Sequence, residues 1–223
     1  MLAARTQLES LLRARKLDVT LTSAAPWARA ARDVAPTGIA RIDDALGGGL
    51  ARGHLSEIVG SRSSGRTSVM CRMLAAAAAR GEAVALIDTS DRFDPASADA
   101  AGLDLTKLLW VRDTGNAARA LKAMNLVLQA GGFGVVAFDL ADVHAMALRQ
   151  FPYTTWMRVA RVIEGSQTAA VIVGADRIAR SPGGVTIALD APAAGSRGRW
   201  SGAGDRARLL CTIDIQPRIV GAR

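Results

Sequence analysis

Apolar runs alternate with alanine-rich amphipathic segments over most of this chain, and this alternation predicts its secondary structure. Short, nearly uninterrupted apolar runs predict buried strands, and longer segments with helical periodicity predict the helices between them. The alternation predicts an α/β fold, with a mostly parallel sheet flanked by helices on both faces. The predicted helices cover about residues 67–80, 95–101, 115–130 and 154–164. The predicted strands are Leu55 to Val59, Val84 to Ile87, Leu108 to Val111, Val135 to Asp139, Ala169 to Val173, Val185 to Leu189 and Leu209 to Ile215.

The first 35 residues are predicted to stand apart from this core as a short helix, a brief strand and a linker. The helix is predicted over residues 2–17, with Leu8, Leu11 and Leu12 near one side and basic residues near its end. Its apolar side either packs on the chain's own core or docks on a neighbouring subunit or partner, and the sequence leaves both alternatives open. The core is predicted over residues 36–215, and residues 216–223 are assigned to a C-terminal tail.

Composition favours one sizeable domain, because the chain has 223 residues and 50% of them are hydrophobic. No run of about 18 uncharged apolar residues occurs, and Arg5 and Glu9 stand where an exported protein has an apolar segment. We therefore expect neither a membrane span nor export, and a cytoplasmic location. Cys71 and Cys211 lie far apart within apolar segments, which predicts reduced core thiols rather than metal ligands.

The net charge of +8 is concentrated in the two ends of the chain. Residues 1–35 carry 6 basic and 3 acidic side chains, residues 177–223 carry 8 and 3, and residues 36–176 carry 14 of each. Clustered basic charge favours contact with phosphate backbones or acidic protein surfaces. The alternative is compositional bias, because 25 of the 28 basic residues are arginine.

The Gly/Ser/Arg-rich stretch 191–206 is predicted to be a loop that either stacks on single-stranded bases or is a plain surface loop. An aromatic side chain among arginines suits base stacking. The candidate DNA or partner contacts at this end of the chain are Arg197, Arg199, Trp200, Arg206 and Arg208.

Residues 60–67 carry the phosphate-loop pattern G-x-x-x-x-G-K-[ST] with arginine in place of lysine. In this pattern backbone N–H groups surround a phosphate, the cation reaches the terminal phosphates and the hydroxyl holds Mg²⁺. Arg66 keeps the positive charge of the lysine, but its planar guanidinium lies on a longer side chain. We therefore expect the change to impair phosphate transfer more than phosphate binding. The alternative is a Gly/Ser turn that holds no nucleotide. The candidate nucleotide-binding residues, regarded as vestigial, are Gly60, Ser61, Ser63, Ser64, Gly65, Arg66 and Thr67.

Asp139 completes this candidate site from another part of the chain. It ends the apolar run that begins at Val135, as does the aspartate that orients Mg²⁺ in phosphate-loop proteins. The alternative is an aspartate that caps the following helix, which is common at strand ends. We include Asp139 among the vestigial nucleotide-binding residues.

These segments closely resemble the core of the RecA recombinase family over roughly residues 35–215, most specifically in the front half. The chain has no counterpart of the C-terminal domain of RecA itself, so we expect a shorter relative. The resemblance implies a RecA-like fold. It is carried by Thr37-Gly38, Ile42 to Leu50, Gly53, Glu57 to Gly60, Ser63 to Gly65, Leu86 to Asp88, Asp94-Pro95 and the strand ending at Asp139.

The chain departs from the RecA pattern at three functional positions. Ser90 stands where the family places its catalytic glutamate, and serine cannot act as a carboxylate base. Gly174-Ala175 stands where the family senses the γ-phosphate with glutamine, and Arg66 replaces the lysine. Together these changes predict that efficient ATP hydrolysis is lost, so we expect no catalytic residues and no required cofactor, with any binding of ATP and Mg²⁺ being weak.

A short RecA-like chain with an eroded site resembles the ImuA family, the accessory proteins of bacterial DNA-damage-induced mutagenesis cassettes. The matching late segments are Ala179 to Thr186, Arg199 to Ser201 and Asp205 to Leu209. The resemblance implies partnership with ImuB, an inactive Y-family polymerase homologue. It therefore predicts a non-catalytic adaptor in SOS-induced DNA repair and error-prone translesion synthesis. Contact with RecA, contact with single-stranded DNA and self-association are left open.

Three other functions remain as alternatives. One is a divergent DNA-dependent ATPase, in which Asp91 acts as base while Thr67 and Asp139 hold Mg²⁺. Another is a cell-division inhibitor of the SulA type, although those RecA relatives lack a recognisable phosphate loop. The last is a plain DNA-binding module, whose affinity would fall steeply with salt.

Overall fold

The computed structural model describes residues 33–179, 183–189, 198–201, 209–213 and 216–221, with residues 198–201 and 209–213 described as backbone. The helices are α1 (Ala40–Leu46), α2 (Arg66–Ala79), α3 (Pro95–Ala100), α4 (Ala117–Ala130), α5 (Ala145–Leu148) and α6 (Tyr153–Ile163), with a 3-10 turn at Leu105–Lys107. The strands are β1 (Val34–Ala35), β2 (Leu50–Ala51), β3 (Leu55–Gly60), β4 (Ala83–Asp88), β5 (Leu108–Arg112), β6 (Phe133–Asp139), β7 (Ala169–Gly174), β8 (Val185–Leu189), β9 (Gly198–Ser201), β10 (Leu209–Ile213) and β11 (Pro217–Gly221).

Seven strands form the main sheet in the order β11-β8-β3-β7-β6-β4-β5. All neighbouring pairs in it are parallel except β11 and β8, which are antiparallel. The predicted mostly parallel α/β fold is therefore confirmed. Because parallel strands end at one edge, the loops that follow β3, β4, β6 and β7 all lie at the same edge of the sheet.

Each face of the main sheet is covered by its own set of helices. Helices α1, α2 and α3 pack on one face, where Met73, Leu74 and the alanines of α2 meet buried side chains of β3, β4, β6 and β7. Helices α4 and α6 pack on the other face, where Met124 and Trp156 are fully buried. Two separate apolar cores result, as continuous hydrophobic strands require.

The ends of several helices follow local sequence signals. The carboxylate of Asp94 accepts hydrogen bonds from the first-turn N–H groups of Ala96 and Ser97, and Pro95 begins α3. The side chain of Asn116 caps α4 through Arg119 N, and Gly131 ends that helix with a positive φ. These signals explain why the predicted helix boundaries lie within a few residues of the observed ones.

The C-terminal part of the chain differs from the sequence prediction. The predicted strand at Leu209 lies outside the main sheet, because β10 pairs antiparallel with β9 in a two-stranded ribbon. β9 lies within residues 191–206, which were predicted to be a loop. Residues 216–223 were assigned to a tail, but β11 within them adds an antiparallel strand to the main sheet. A strand at a sheet edge needs only one partner, so its sequence pattern is weak.

Candidate functional site

The loop between β3 and α2 has the conformation that its small residues allow. Gly65 precedes α2 with φ +94°, which favours glycine, and Ser63 also has a positive φ of 61°. A Cβ on Gly60 would lie 2.5 Å from Leu189 O and from Ser64 Oγ, so only glycine fits there. Ser64 N donates to Ser61 O at 3.2 Å. The strand, loop and helix predicted for residues 55–80 are therefore present in that order.

Two buried polar groups of this loop have no hydrogen-bond partner among the residues that the structure describes. They are Arg66 Nη1 and Ser64 Oγ, and both residues are buried. Leaving such groups unpaired typically costs about 1–3 kcal/mol each, and more for a charged group. A bound anion would satisfy the Nη1 of Arg66, so the chemistry of the loop fits a phosphate group. Thr67, by contrast, is exposed at the start of α2.

Asp139 lies at the same edge of the sheet as the loop, at the end of β6. It is opposite Asp88 of β4 in the strand register, and one of its oxygens accepts a hydrogen bond from Ala141 N at 2.9 Å. Burial is the main cause that raises the pKa of Asp139 to about 6; the negative charges of Asp88 and Asp142 act in the same direction, and the hydrogen bond from Ala141 N and the charge of Arg66 oppose it. The predicted proximity of Asp139 to the loop is consistent with this interaction with Arg66.

Asp88 serves as an anchor for the loop that follows β4. Its buried carboxylate accepts hydrogen bonds from Arg92 N at 3.1 Å, Phe93 N at 2.8 Å and Trp110 Nε1 at 3.3 Å. These bonds fold residues 88–93 back over the end of the sheet. The adjacent Thr89 Oγ1 is also buried and has no partner among the described residues. No local pattern in the sequence marks Thr89 as part of the site.

Asp91 forms an ion pair that occupies both of its carboxylate oxygens, which the ATPase alternative needs for its role as the base. Its two carboxylate oxygens accept from Arg112 Nε at 2.8 Å and Nη2 at 2.9 Å. The hydrogen bond from Arg112 lowers the pKa of Asp91. Arg112 also lies over the ring of Trp110, 4.6 Å from its centroid. Ser90, at the position where the resemblance to the RecA family predicts a glutamate, is half-buried.

The loop after β7 is fixed by Glu57, a buried carboxylate in β3 to which the sequence alone assigned no role. Its Oε1 accepts from Ile178 N at 2.7 Å and Ala179 N at 2.9 Å, and its Oε2 accepts from the Thr186 hydroxyl at 3.4 Å. The sequence feature that could have identified Glu57 is that it is a charged residue within an otherwise apolar strand. Ala175, at the position of the missing glutamine, is exposed.

The remaining predicted contact residues lie mostly outside the described residues. These are Leu8, Leu11, Leu12, Arg197, Arg206 and Arg208, while Arg199 and Trp200 lie in β9, of which only the backbone is described. Cys71 is a free, half-buried thiol, and burial together with the charge of Asp139 raises its pKa to about 11. The described part of the chain contains no cluster of three or more metal-ligating side chains, and none of its helices is long and apolar enough to cross a bilayer.

Comparison with known proteins matches residues 23–149 to the model of the RecA N-terminal domain. The chain is 39% identical over 109 residues to Protein RecA of Methylococcus capsulatus, an alignment that covers 48% of this chain and 31% of the relative. It is also 39% identical over 113 residues to Protein RecA of Saccharopolyspora erythraea, covering 50% and 32%. The chain thus spans about a third of the length of these curated relatives.

The fold is similar to the crystal structure of the RadB recombinase, with a TM-score of 0.53 over 70% of this chain and 83% of that one. The two sequences are 16% identical, so this likeness shows the fold alone. It agrees with the mostly parallel, helix-covered sheet described above.

Proposed function

The chain belongs to the RecA N-terminal domain family through residues 23–149, and on this premise we propose that it is a non-catalytic RecA-like adaptor in DNA repair. More specifically, we propose a role in SOS-induced, error-prone translesion synthesis of the kind that ImuA proteins serve. The scaffold supplies rigid faces for partners, and its former nucleotide site is not used for turnover.

The observation that carries this proposal is the absence of a free carboxylate base in the loop after β4. General-base activation of water needs a side chain at the attack position that can accept a proton, and in the RecA family pattern this is a glutamate carboxylate. Ser90 has none, and both oxygens of Asp91 are held by Arg112, which lowers the pKa of Asp91. Asp88 already accepts three hydrogen bonds. We therefore expect hydrolysis to be lost even if a nucleotide enters the site.

The residues present are still compatible with a bound nucleotide. Backbone N–H groups of residues 60–66, Ser64 and Arg66 would hold its phosphates, and Thr67 with Asp139 would hold Mg²⁺. A phosphate of the nucleotide would supply the hydrogen-bond acceptor that the buried Nη1 of Arg66 lacks. We propose that such binding serves only to stabilise the loop.

The proposed partner is an inactive Y-family polymerase homologue of the ImuB type, as the family resemblance implies. A RecA-like domain that cannot hydrolyse ATP also has the means to bind the end of a RecA filament and limit its growth. Unchanged filament assembly and strand exchange by RecA at stoichiometric added protein would remove this second role.

Two measurements test the proposal. Phosphate release, followed with malachite green with and without single-stranded DNA, should not exceed a buffer control. The purified chain should also form a stable complex with the ImuB-type homologue from the same genome. Turnover at rates like those of an intact recombinase, or failure to form the complex, would contradict the adaptor function.

A divergent ATPase is the second candidate, and the unpaired Arg66 Nη1 and Ser64 Oγ favour it, because a nucleotide phosphate would satisfy such buried polar groups. In this alternative Thr67 and Asp139 would hold Mg²⁺. This alternative predicts measurable phosphate release by the wild type that falls when Asp139→Ala is introduced.

A further inference from the structure

Charge is segregated between the two helical layers of the core, although residues 36–176 carry 14 basic and 14 acidic side chains. Helix α4 and the stretch 145–163, which contains α5 and α6, together contain five basic residues and no acidic residue. We call these helices the α4–α6 layer. On the opposite face α1 and α3 carry aspartates, so that layer is mixed. The basic residues of the α4–α6 layer are Arg119, Lys122, Arg149, Arg158 and Arg161.

Most of these cations lack an acidic partner within the described part of the chain. Arg119 is paired with Asp113 at 2.6 Å. Lys122, Arg149, Arg158 and Arg161 are exposed, and no ion pair joins them to an acidic side chain of the described residues. Helices α4 and α6 pack against each other, and packed helices lie about 8–10 Å apart. The layer therefore carries a net positive charge, and the exposed carboxylates of Asp142 and Glu164 lie at its borders.

A groove opens on this same layer, between the start of α4 and the α5–α6 segment. It has a volume of about 390 Å³ and is lined by Gly115, Asn116, Ala118, Ala147, Gln150 and Phe151. We call it the α4/α5 groove. Its lining combines small residues and the ring of Phe151 with the polar side chains of Thr114, Asn116 and Gln150, which suits an apolar partner side chain flanked by polar groups. The N-terminus of the 14-residue helix α4 faces this groove and favours nearby negative charge.

Exposed apolar side chains accompany the cations of this layer. Met146 of α5 is 61% exposed and Leu126 of α4 is 67% exposed, and Tyr153 begins α6. A nucleic-acid backbone would satisfy the cations but would leave Leu126 and Met146 without apolar contacts. A protein segment that carries both acidic and apolar side chains would satisfy both sets of groups.

Building on the adaptor function above, we propose that the α4–α6 layer is the docking face for an acidic segment of its protein partner. The segment places an apolar side chain in the α4/α5 groove and its carboxylates beside Arg149, Lys122 and Arg158. The sequence motif at residues 60–67 takes no part in this contact.

The test compares charge-reversed and groove-filled variants of the full chain with a matched control. Arg149→Glu combined with Arg158→Glu reverses two exposed cations of the layer, and Ala118→Trp fills the groove. Arg72→Glu makes the same kind of charge change at an exposed position of α2 on the opposite face. Affinity is measured by calorimetry with the ImuB-type homologue, and fluorescein-labelled single-stranded dT30 serves as the nucleic-acid probe. Circular dichroism confirms that each variant is folded.

We expect the double reversal and Ala118→Trp each to weaken binding of the homologue by at least about tenfold, and Arg72→Glu to change it by less than about twofold. If the wild type binds and both layer variants keep its affinity, the docking face is wrong while the adaptor function stands. If the wild type does not bind, the adaptor function fails and this inference with it. If the variants lose dT30 but keep the homologue, the layer is a nucleic-acid surface and the inference is overturned.

Discussion

Replacing Glu57 with alanine should both destabilise the protein and release the loop after β7. The Oε1 atom of Glu57 accepts both Ile178 N and Ala179 N, so alanine leaves two backbone N–H groups without their acceptor. Each unsatisfied buried donor costs about 1–3 kcal/mol, so the two together give a loss of about 2–6 kcal/mol in the free energy of unfolding. Urea unfolding followed by tryptophan fluorescence measures this loss.

The conservative variant Glu57→Gln is the matched control. Its amide oxygen can occupy the position of Oε1 and accept both N–H groups, while its NH₂ group can donate to Thr186 Oγ1 in place of the present hydrogen bond. We therefore expect a loss of only about 1 kcal/mol. Amide hydrogen exchange at Ile178 and Ala179 should accelerate in the alanine variant and remain slow in the glutamine variant. Wild-type stability and exchange in Glu57→Ala would refute the assigned role of this carboxylate.

Three further predictions concern the phosphate loop, the strand end and the core. Inorganic phosphate should raise the Tm of the wild type but not of Arg66→Met, because the buried guanidinium supplies the anion site; equal shifts would contradict this. The pKa of Asp139 is raised from 3.8 to about 6, so the folded state binds this proton more tightly than the unfolded state does. The wild type should therefore lose stability relative to the Asp139→Asn variant as the pH rises from about 4 to 6. The difference should reach up to about 3 kcal/mol above that window in urea titrations, and a pH-independent difference would refute it. Trp156→Ala should lower the free energy of unfolding by about 3–5 kcal/mol, and Trp156→Phe should lower it less, since this residue is 1% exposed. A loss below about 1 kcal/mol for the alanine variant in urea unfolding would contradict the position of Trp156 in the core.

The sequence by itself determined most of the helices and strands from β3 to β8 and the position of the loop at residues 60–65. Apolar runs and helical periodicity are local properties, and they place β3, residues 60–65 and α2 in succession. The run that ends at Asp139 indicates a strand end in the same way. Because parallel strands end at one edge, this order was enough to predict that Asp139 and the loop lie at the same edge of the sheet.

Only the tertiary structure decided how these groups are used. Glu57 meets its hydrogen-bond partners 121 and 122 residues further along the chain, and Asp91 meets Arg112 across 21 residues. Residues 36–176 of the core carry equal numbers of basic and acidic side chains. The two faces of the sheet differ in charge because the strand order places α4 and α6 on one face and α1 to α3 on the other. Strand order and side-chain direction depend on contacts between distant segments, which a local pattern of residues does not encode.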